Sequence, residues 1–215
     1  LSGETATLNN WCSPEHDCKK LLTFYAIIIS MDNLDFLFTE DSINNYKNAT
    51  PFKFNQKVPL TVSWDDAFTL VDQEIRDNLK TNHRWYGNYD GTGFKIRKAD
   101  KLEQIALVVD KLFSMFGHSD EKKYARPSQA QQMYLCFTTD ESVNNPPHID
   151  KDHVFFWQLQ GNCSWEIYDK SGEKVEYKFD LEPGDIIYCP PFLKHQVITL
   201  TARVGASIGF DSFKP

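Results

Sequence analysis

Between residues 133 and 210 the sequence breaks into seven short β-type segments: 133–138, 154–159, 164–168, 174–179, 185–189, 196–200 and 204–210. Each is rich in β-branched or aromatic residues and each is bounded by turn residues. So many short strands placed so closely can bury their apolar faces only by closing into a sandwich or barrel. Aromatic residues make up 14% of the sequence, and Phe155, Phe156, Trp157, Trp165 and Tyr188 all fall inside these segments, so the main core belongs there.

The stretch before residue 133 reads as helical or mixed. Residues 58–62 suggest a short strand, and Ser63-x-x-Asp66 resembles a capping box. Ala67, Leu70, Val71, Ile75 and Leu79 then recur at helical spacing, predicting a helix over 64–79. A turn-rich loop over 86–93 leads to a short strand at 94–97. Asp100-x-x-Glu103 opens a second helix, with Leu102, Ile105, Val109, Leu112, Phe113 and Phe116 on one face before Gly117 ends it. Ser13-Pro14 suggests a first short helix, 24–29 suits either strand or buried helix, and 118–132 reads as a loop. The expected class is mainly β with flanking helices: one structural domain in which residues 1–132 lie against a barrel core over 133–215.

Charge and cysteine usage narrow the partners. With 23 basic against 30 acidic residues in 215, the net charge of −7 argues against a nucleic acid partner. The apolar run 24–29 is too short for a membrane span, so no membrane is expected and the reading is cytoplasmic. The five cysteines form no regular framework and suit reduced, buried thiols. Cys12, His16 and Cys18 cluster, but lack a fourth zinc ligand.

The chemistry concentrates elsewhere. His148 and Asp150 stand two residues apart, so in extended backbone they share a face and offer an imidazole and a carboxylate to one ion. Downstream, Glu182-Pro183-Gly184-Asp185 makes a tight turn, 186–189 forms a strand, and Pro190-Pro191 stiffens the loop that delivers His195. Two histidines and one carboxylate with open positions suit non-haem Fe(II). His83 and His118 read as surface residues, and His153, of opposite parity, as a rim residue.

Pro147-His148-Ile149-Asp150, then 154–161 with Trp165, then 181–191 with His195, and Ser207-Ile208-Gly209-Phe210 resemble the JmjC-type, cupin-fold Fe(II)/2-oxoglutarate oxygenases, especially their ribosomal-protein and asparaginyl hydroxylase branch. The likeness in motifs covers roughly 133–211. It implies a double-stranded β-helix, with His148, Asp150 and His195 as both iron ligands and catalytic centre. It implies 2-oxoglutarate as cosubstrate, decarboxylated to succinate as a second substrate is hydroxylated.

One departure matters. Relatives commonly place Lys or Arg two residues after the counterpart of Gly161, to hold the far carboxylate of 2-oxoglutarate; here that residue is Cys163. Arg203 shares strand parity with Gly205 and Ser207 and is the expected substitute. Tyr134, Asn145, Gln158 and Ser207 are further candidates for binding the cosubstrate, with Phe156 and Trp165 lining the pocket. Two other readings stay open: a cupin-fold metal-binding protein that has lost the cosubstrate, and a cupin enzyme that works without it. The substrate is a small molecule or a polypeptide. The sequence ends soon after its last strand, without the helical dimerisation region of many relatives, so a monomer or weak homodimer is expected.

Overall fold

The computed structural model describes residues 34–80, 93–116, 131–137 and 143–210. Two compact units divide the chain, Leu1–Asp35 and Phe36–Pro215, and the architecture below is that of the second. In chain order it runs α1 (Glu40–Lys47), β1 (Phe52–Lys53), α2 (Trp64–Lys80), β2 (Gly93–Arg97), a 3-10 turn (Ala99–Lys101) and α3 (Glu103–Phe116). The strands β3 (Gln131–Cys136), β4 (Val143–Ile149), β5 (His153–Gln160), β6 (Cys163–Tyr168), β7 (Val175–Leu181), β8 (Ile186–Cys189), β9 (Lys194–Thr199) and β10 (Arg203–Phe210) follow.

These strands form two antiparallel sheets, one ordered β1-β8-β5-β10-β3-β2 and the other β4-β9-β6-β7. From β3 to β10 successive strands alternate between the sheets except at the β6–β7 hairpin, which is the double-stranded β-helix. The interior fills with Val154, Phe156, Cys163, Trp165, Ile167, Leu181, Ile187, Cys189 and Val197. Strand β5 is apolar on both faces because both are covered. Phe156 points into the barrel, while Phe155 lies 5.1 Å from Phe116 and 5.4 Å from Phe210 on the helical side. Phe113 of α3 closes on Phe210 at 4.2 Å. Strand β7, at the edge of the smaller sheet, alternates between half-buried and exposed residues as a one-sided strand does.

Helix α2 begins where its capping box predicts. The Asp66 N–H donates to Ser63 Oγ at 3.1 Å and the Ser63 N–H donates to Asp66 Oδ2 at 2.9 Å, a reciprocal cap worth about 1 kcal/mol. Ala67, Leu70 and Val71 are buried as expected.

Four expectations change. Residues 58–62 are not a strand: the Val58 N–H donates to the Gly184 carbonyl and the Gln160 side chain donates to the Val62 carbonyl, so the segment is held by loop contacts. The second helix starts at Glu103, because Lys98 at φ 61° turns the backbone into the 3-10 turn that contains Asp100. Strand β4 runs through Pro146-Pro147, so His148 sits near the end of a strand rather than at its start. The last two residues of 118–132 belong to β3, and α1, capped by Thr39, had no counterpart in the sequence reading. The readings at Ser13-Pro14, 24–29, Cys12, His16, Cys18, His83, 86–92 and His118 lie outside the described residues. No helix among the described residues is long and apolar enough to cross a membrane.

Candidate metal centre

Strands β4 and β9 pair so that His148 stands opposite His195. The register of β4 shifts between Val143 and Asn145 and again between Asn145 and His148, where Pro146 and Pro147 have no N–H to give the ladder. That irregularity aims His148 inward at the barrel mouth. Asp150 follows the end of β4, and its carbonyl accepts the Phe192 N–H at 2.8 Å, tying it to the loop that delivers His195.

The three donor groups converge. His195 Nε2 lies 3.5 Å and His148 Nε2 3.8 Å from the same Asp150 oxygen, and all three ligand atoms fall within 4.8 Å of one another. An ion with ligand distances of about 2.0–2.1 Å would bring adjacent ligands to about 3 Å, so loading requires only a modest contraction. Each imidazole is oriented by the same local device. His148 Nδ1 lies 2.8 Å from the Pro146 carbonyl and His195 Nδ1 lies 3.0 Å from the Leu193 carbonyl, two residues back in both cases. Donation from Nδ1–H to these carbonyls turns Nε2 of both rings toward the metal position, where His195 offers its lone pair once its proton has left. Trp165 stacks on His195 at 5.2 Å with an interplanar angle of 16°, fixing the buried ring. Two imidazoles and a carboxylate on one side of an open position fit a divalent transition metal, iron among them.

The electrostatics are those of a charged pair. Burial opposes a charge on His195, but its contacts with Asp150, the Cys189 sulfur and the Leu193 carbonyl outweigh that and raise its pKa to about 10. The His195 contact holds the Asp150 carboxyl below its usual range against burial, with His148 and Lys95 adding to the effect.

The expected pocket residues mostly meet here. Tyr134, Phe156, Trp165, Arg203 and Ser207 line one cavity with the three donors. Arg203 is only 2% exposed; its Nε donates to Thr199 Oγ1 at 2.9 Å, and its buried Nη1 has no hydrogen-bond partner. The Trp165 Nε1 is likewise buried without a partner. Tyr134 donates its hydroxyl to Gln132 Oε1 at 2.7 Å, and burial raises its pKa although Arg203 pulls the other way. Cys163 is buried in the barrel and donates to Gln158 Oε1 at 3.1 Å; burial pushes its thiol up to about 12, keeping it neutral.

Gln158 has a different task from the one expected. Its amide nitrogen donates to the carbonyls of Gln160 at 2.7 Å and Gly161 at 2.9 Å, while its oxygen accepts from Cys163. The side chain locks the β5–β6 turn, where Gly161 sits at φ 66° and a Cβ would strike the Ala202 carbonyl at 2.0 Å. It is absent from the cavity wall. The backbone of Asn145 pairs with Val197, and its side chain lies outside the described residues. His153 faces away from the metal side chains, its Nδ1 lying 2.7 Å from the Tyr188 hydroxyl. Thr199 was missed, though it follows His195 by four residues on a strand and so shares its face.

Residues 111–214 match the family model of the JmjC domain. The chain is 31% identical over 83 residues to the ribosomal protein uL16 3-hydroxylase of Escherichia coli (strain K12), covering 30% of this chain and 21% of that protein. It is 21% identical over 221 aligned positions to the bifunctional lysine-specific demethylase and histidyl-hydroxylase NO66 of Drosophila willistoni, covering 84% of this chain and 27% of that protein. The chain thus spans 21% to 27% of the length of these curated relatives. Among solved structures, the X-ray structure of E. coli ycfD superposes with a TM-score of 0.55 at 16% identity, over 83% of this chain and 54% of that one. A structure of the same protein in complex with cobalt and 2-oxoglutarate gives 0.50 at 18% identity, over 76% and 48%. These structural likenesses speak to the fold. All three donor residues lie inside the segment that is similar to the JmjC domain, and that segment carries most of a cupin-type double-stranded β-helix.

Proposed function

We propose that the chain is an Fe(II)- and 2-oxoglutarate-dependent oxygenase that hydroxylates a second substrate. The observation that carries this reading is Arg203. A buried guanidinium with an unpartnered Nη1 is costly unless an anion answers it, and Arg203 shares its cavity with the His148, Asp150 and His195 donors. A dicarboxylate that reaches from the metal to Arg203 satisfies both ends.

His148, Asp150 and His195 would hold the iron. Iron held there would, with dioxygen as oxidant, couple the decarboxylation of 2-oxoglutarate to succinate and carbon dioxide with hydroxylation of a C–H bond, one oxygen atom going to succinate and the other to the second substrate. The protein's own work is binding and exclusion. Arg203, set by Thr199, receives the far carboxylate; the Ser207 hydroxyl shares the cavity as a further donor, and the Tyr134 hydroxyl joins it only by turning from Gln132. Phe156 and Trp165 keep water from that end of the cavity. His195 gives up its proton as the metal binds.

Both curated relatives are named for action on proteins, one on ribosomal protein uL16 and the other as a lysine-specific demethylase and histidyl-hydroxylase. A polypeptide substrate is the reading this supports. A second reading, a metal-binding member that has lost the cosubstrate, is favoured by one observation. The cavity measures about 20 Å³ in this conformation, room for water but not for a five-carbon diacid. Under the first reading, 2-oxoglutarate must displace the rings that close it. Anaerobic titration of the Fe(II)-loaded protein with 2-oxoglutarate separates the two. A charge-transfer absorption band that saturates supports the oxygenase; folded, iron-loaded protein that yields no band supports the second reading.

A further inference from the structure

Strand β2 brings one more charge next to a wall residue of this cavity. Lys95 stands opposite Tyr134 in the β2–β3 register, and its Nζ lies 5.2 Å from the centroid of the Tyr134 ring, which lines the metal cavity. The ammonium is half-buried, and its field reaches Asp150. No carboxylate among the described residues comes within ion-pair distance of it. Burial, with Arg97 nearby, lowers its pKa while Asp150 raises it, so the group sits in a place that penalises an unanswered charge.

On the oxygenase reading, on which this inference rests, the charges of the loaded site cancel in all but one place. The divalent metal is matched by Asp150 and by the near carboxylate of 2-oxoglutarate, and Arg203 is matched by the far carboxylate. Among the described residues, Lys95 is left without a countercharge. One excess positive charge calls for a carboxylate rather than a phosphate dianion, and the molecule that enters the site to be oxidised can bring it. We infer that Lys95 receives a carboxylate of the second substrate, so that this substrate is an acid: a free carboxylic acid or an Asp or Glu side chain beside the oxidised residue. The net charge of −7 does not oppose this, because charges beyond about 8 Å are largely screened at physiological salt.

The test is calorimetric binding to Mn(II)-substituted protein, with 2-oxoglutarate saturating so that Arg203 is already occupied. One arm compares butanoate with butanamide. The other compares a capped Ala-Ala-Glu-Ala-Ala peptide with its Gln counterpart. A charge-assisted contact predicts that the acid binds about 10- to 100-fold more tightly than the amide in at least one arm. The preference should vanish in Lys95→Gln, and in Lys95→Glu it should shift to butylamine or the Lys peptide. The arm that responds identifies a small acid or a protein as the source. Equal affinities in both arms, or a preference that survives Lys95→Gln, overturns the inference. Failure of 2-oxoglutarate itself to bind the wild-type protein defeats the oxygenase reading instead, and is seen before either arm begins.

Discussion

The Phe192 N–H donates to the Asp150 carbonyl at 2.8 Å, and Phe192 does so from the left-handed region, at φ 65°. That bond joins the loop carrying His195 to the residue just past β4, so the three metal donors are positioned by one mechanical unit. A phenylalanine in this conformation costs of order 1 kcal/mol, which the loop sustains. Phe192→Pro removes the N–H and cannot adopt the angle, and should weaken metal binding by about 10- to 100-fold. Phe192→Gly keeps both the bond and the conformation and should bind metal as the wild type does. Competition against a metal-sensitive chelator measures both variants, and equal affinities for the two would separate the bond from the site.

Arg203 and Thr199 predict a different pattern. Arg203→Met should cost about 10- to 100-fold or more in 2-oxoglutarate affinity, the worth of charge-assisted bonds, while leaving metal affinity near wild type. Thr199→Val frees the Nε that Thr199 now accepts and should show a smaller loss in the same measurement. Fluorescence titration of the metal-loaded protein reads both, since Trp165 lies in the cavity wall. Wild-type affinity in Arg203→Met removes this residue from the cosubstrate site.

Periodicity made much of this legible and depth made the rest obscure. Strand parity correctly put Arg203 and Ser207 on the cavity side, with Gly205 between them, and the His-x-Asp spacing with the Pro-Pro loop brought the three donors to one point. Parity fixes a face but not how far down the barrel a residue sits. Gln158 shares the inward face of Phe156 yet lies past the cavity, where its amide closes the β5–β6 turn. Pro146-Pro147 hid β4, because an edge strand can dispense with the N–H groups that a strand signal assumes. The alternating apolar pattern at 58–62 mimicked a strand that loop contacts replace. Lys95 escaped notice because a five-residue strand gives too few positions for its face to be read.

Proton release should accompany metal binding. In the metal-free protein His195 has a pKa raised to about 10 and Asp150 is held ionised, so near neutral pH the pair is an imidazolium against a carboxylate. The raised His195 pKa contributes stability that is full below the ordinary histidine value of about 6.5, for as long as Asp150 stays ionised, and that is lost as pH rises through about 10. A metal must displace the His195 proton, so its apparent affinity should rise about tenfold per pH unit between pH 7 and 9. Calorimetry in buffers of differing ionisation enthalpy counts the proton directly. Affinity that stays flat over this range means His195 is already neutral in the metal-free protein.

Gly205 tests whether the cavity wall tolerates any added bulk. A Cβ there would lie 2.3 Å from Phe156 Cζ, and the Phe156 ring is itself held 5.0 Å from Trp165 and 5.7 Å from the Arg203 guanidinium. Gly205→Ala therefore forces the ring toward Trp165 or Arg203, and overpacking of this kind costs about 1–3 kcal/mol. Urea unfolding should show that loss, and the displaced ring should weaken 2-oxoglutarate binding more than metal binding, because Phe156 touches the Arg203 end of the cavity. Gly205→Ala combined with Phe156→Leu makes room for the methyl group and should recover part of the stability. If the double variant is no more stable than Gly205→Ala alone, the glycine is required by the β10 backbone and not by the ring.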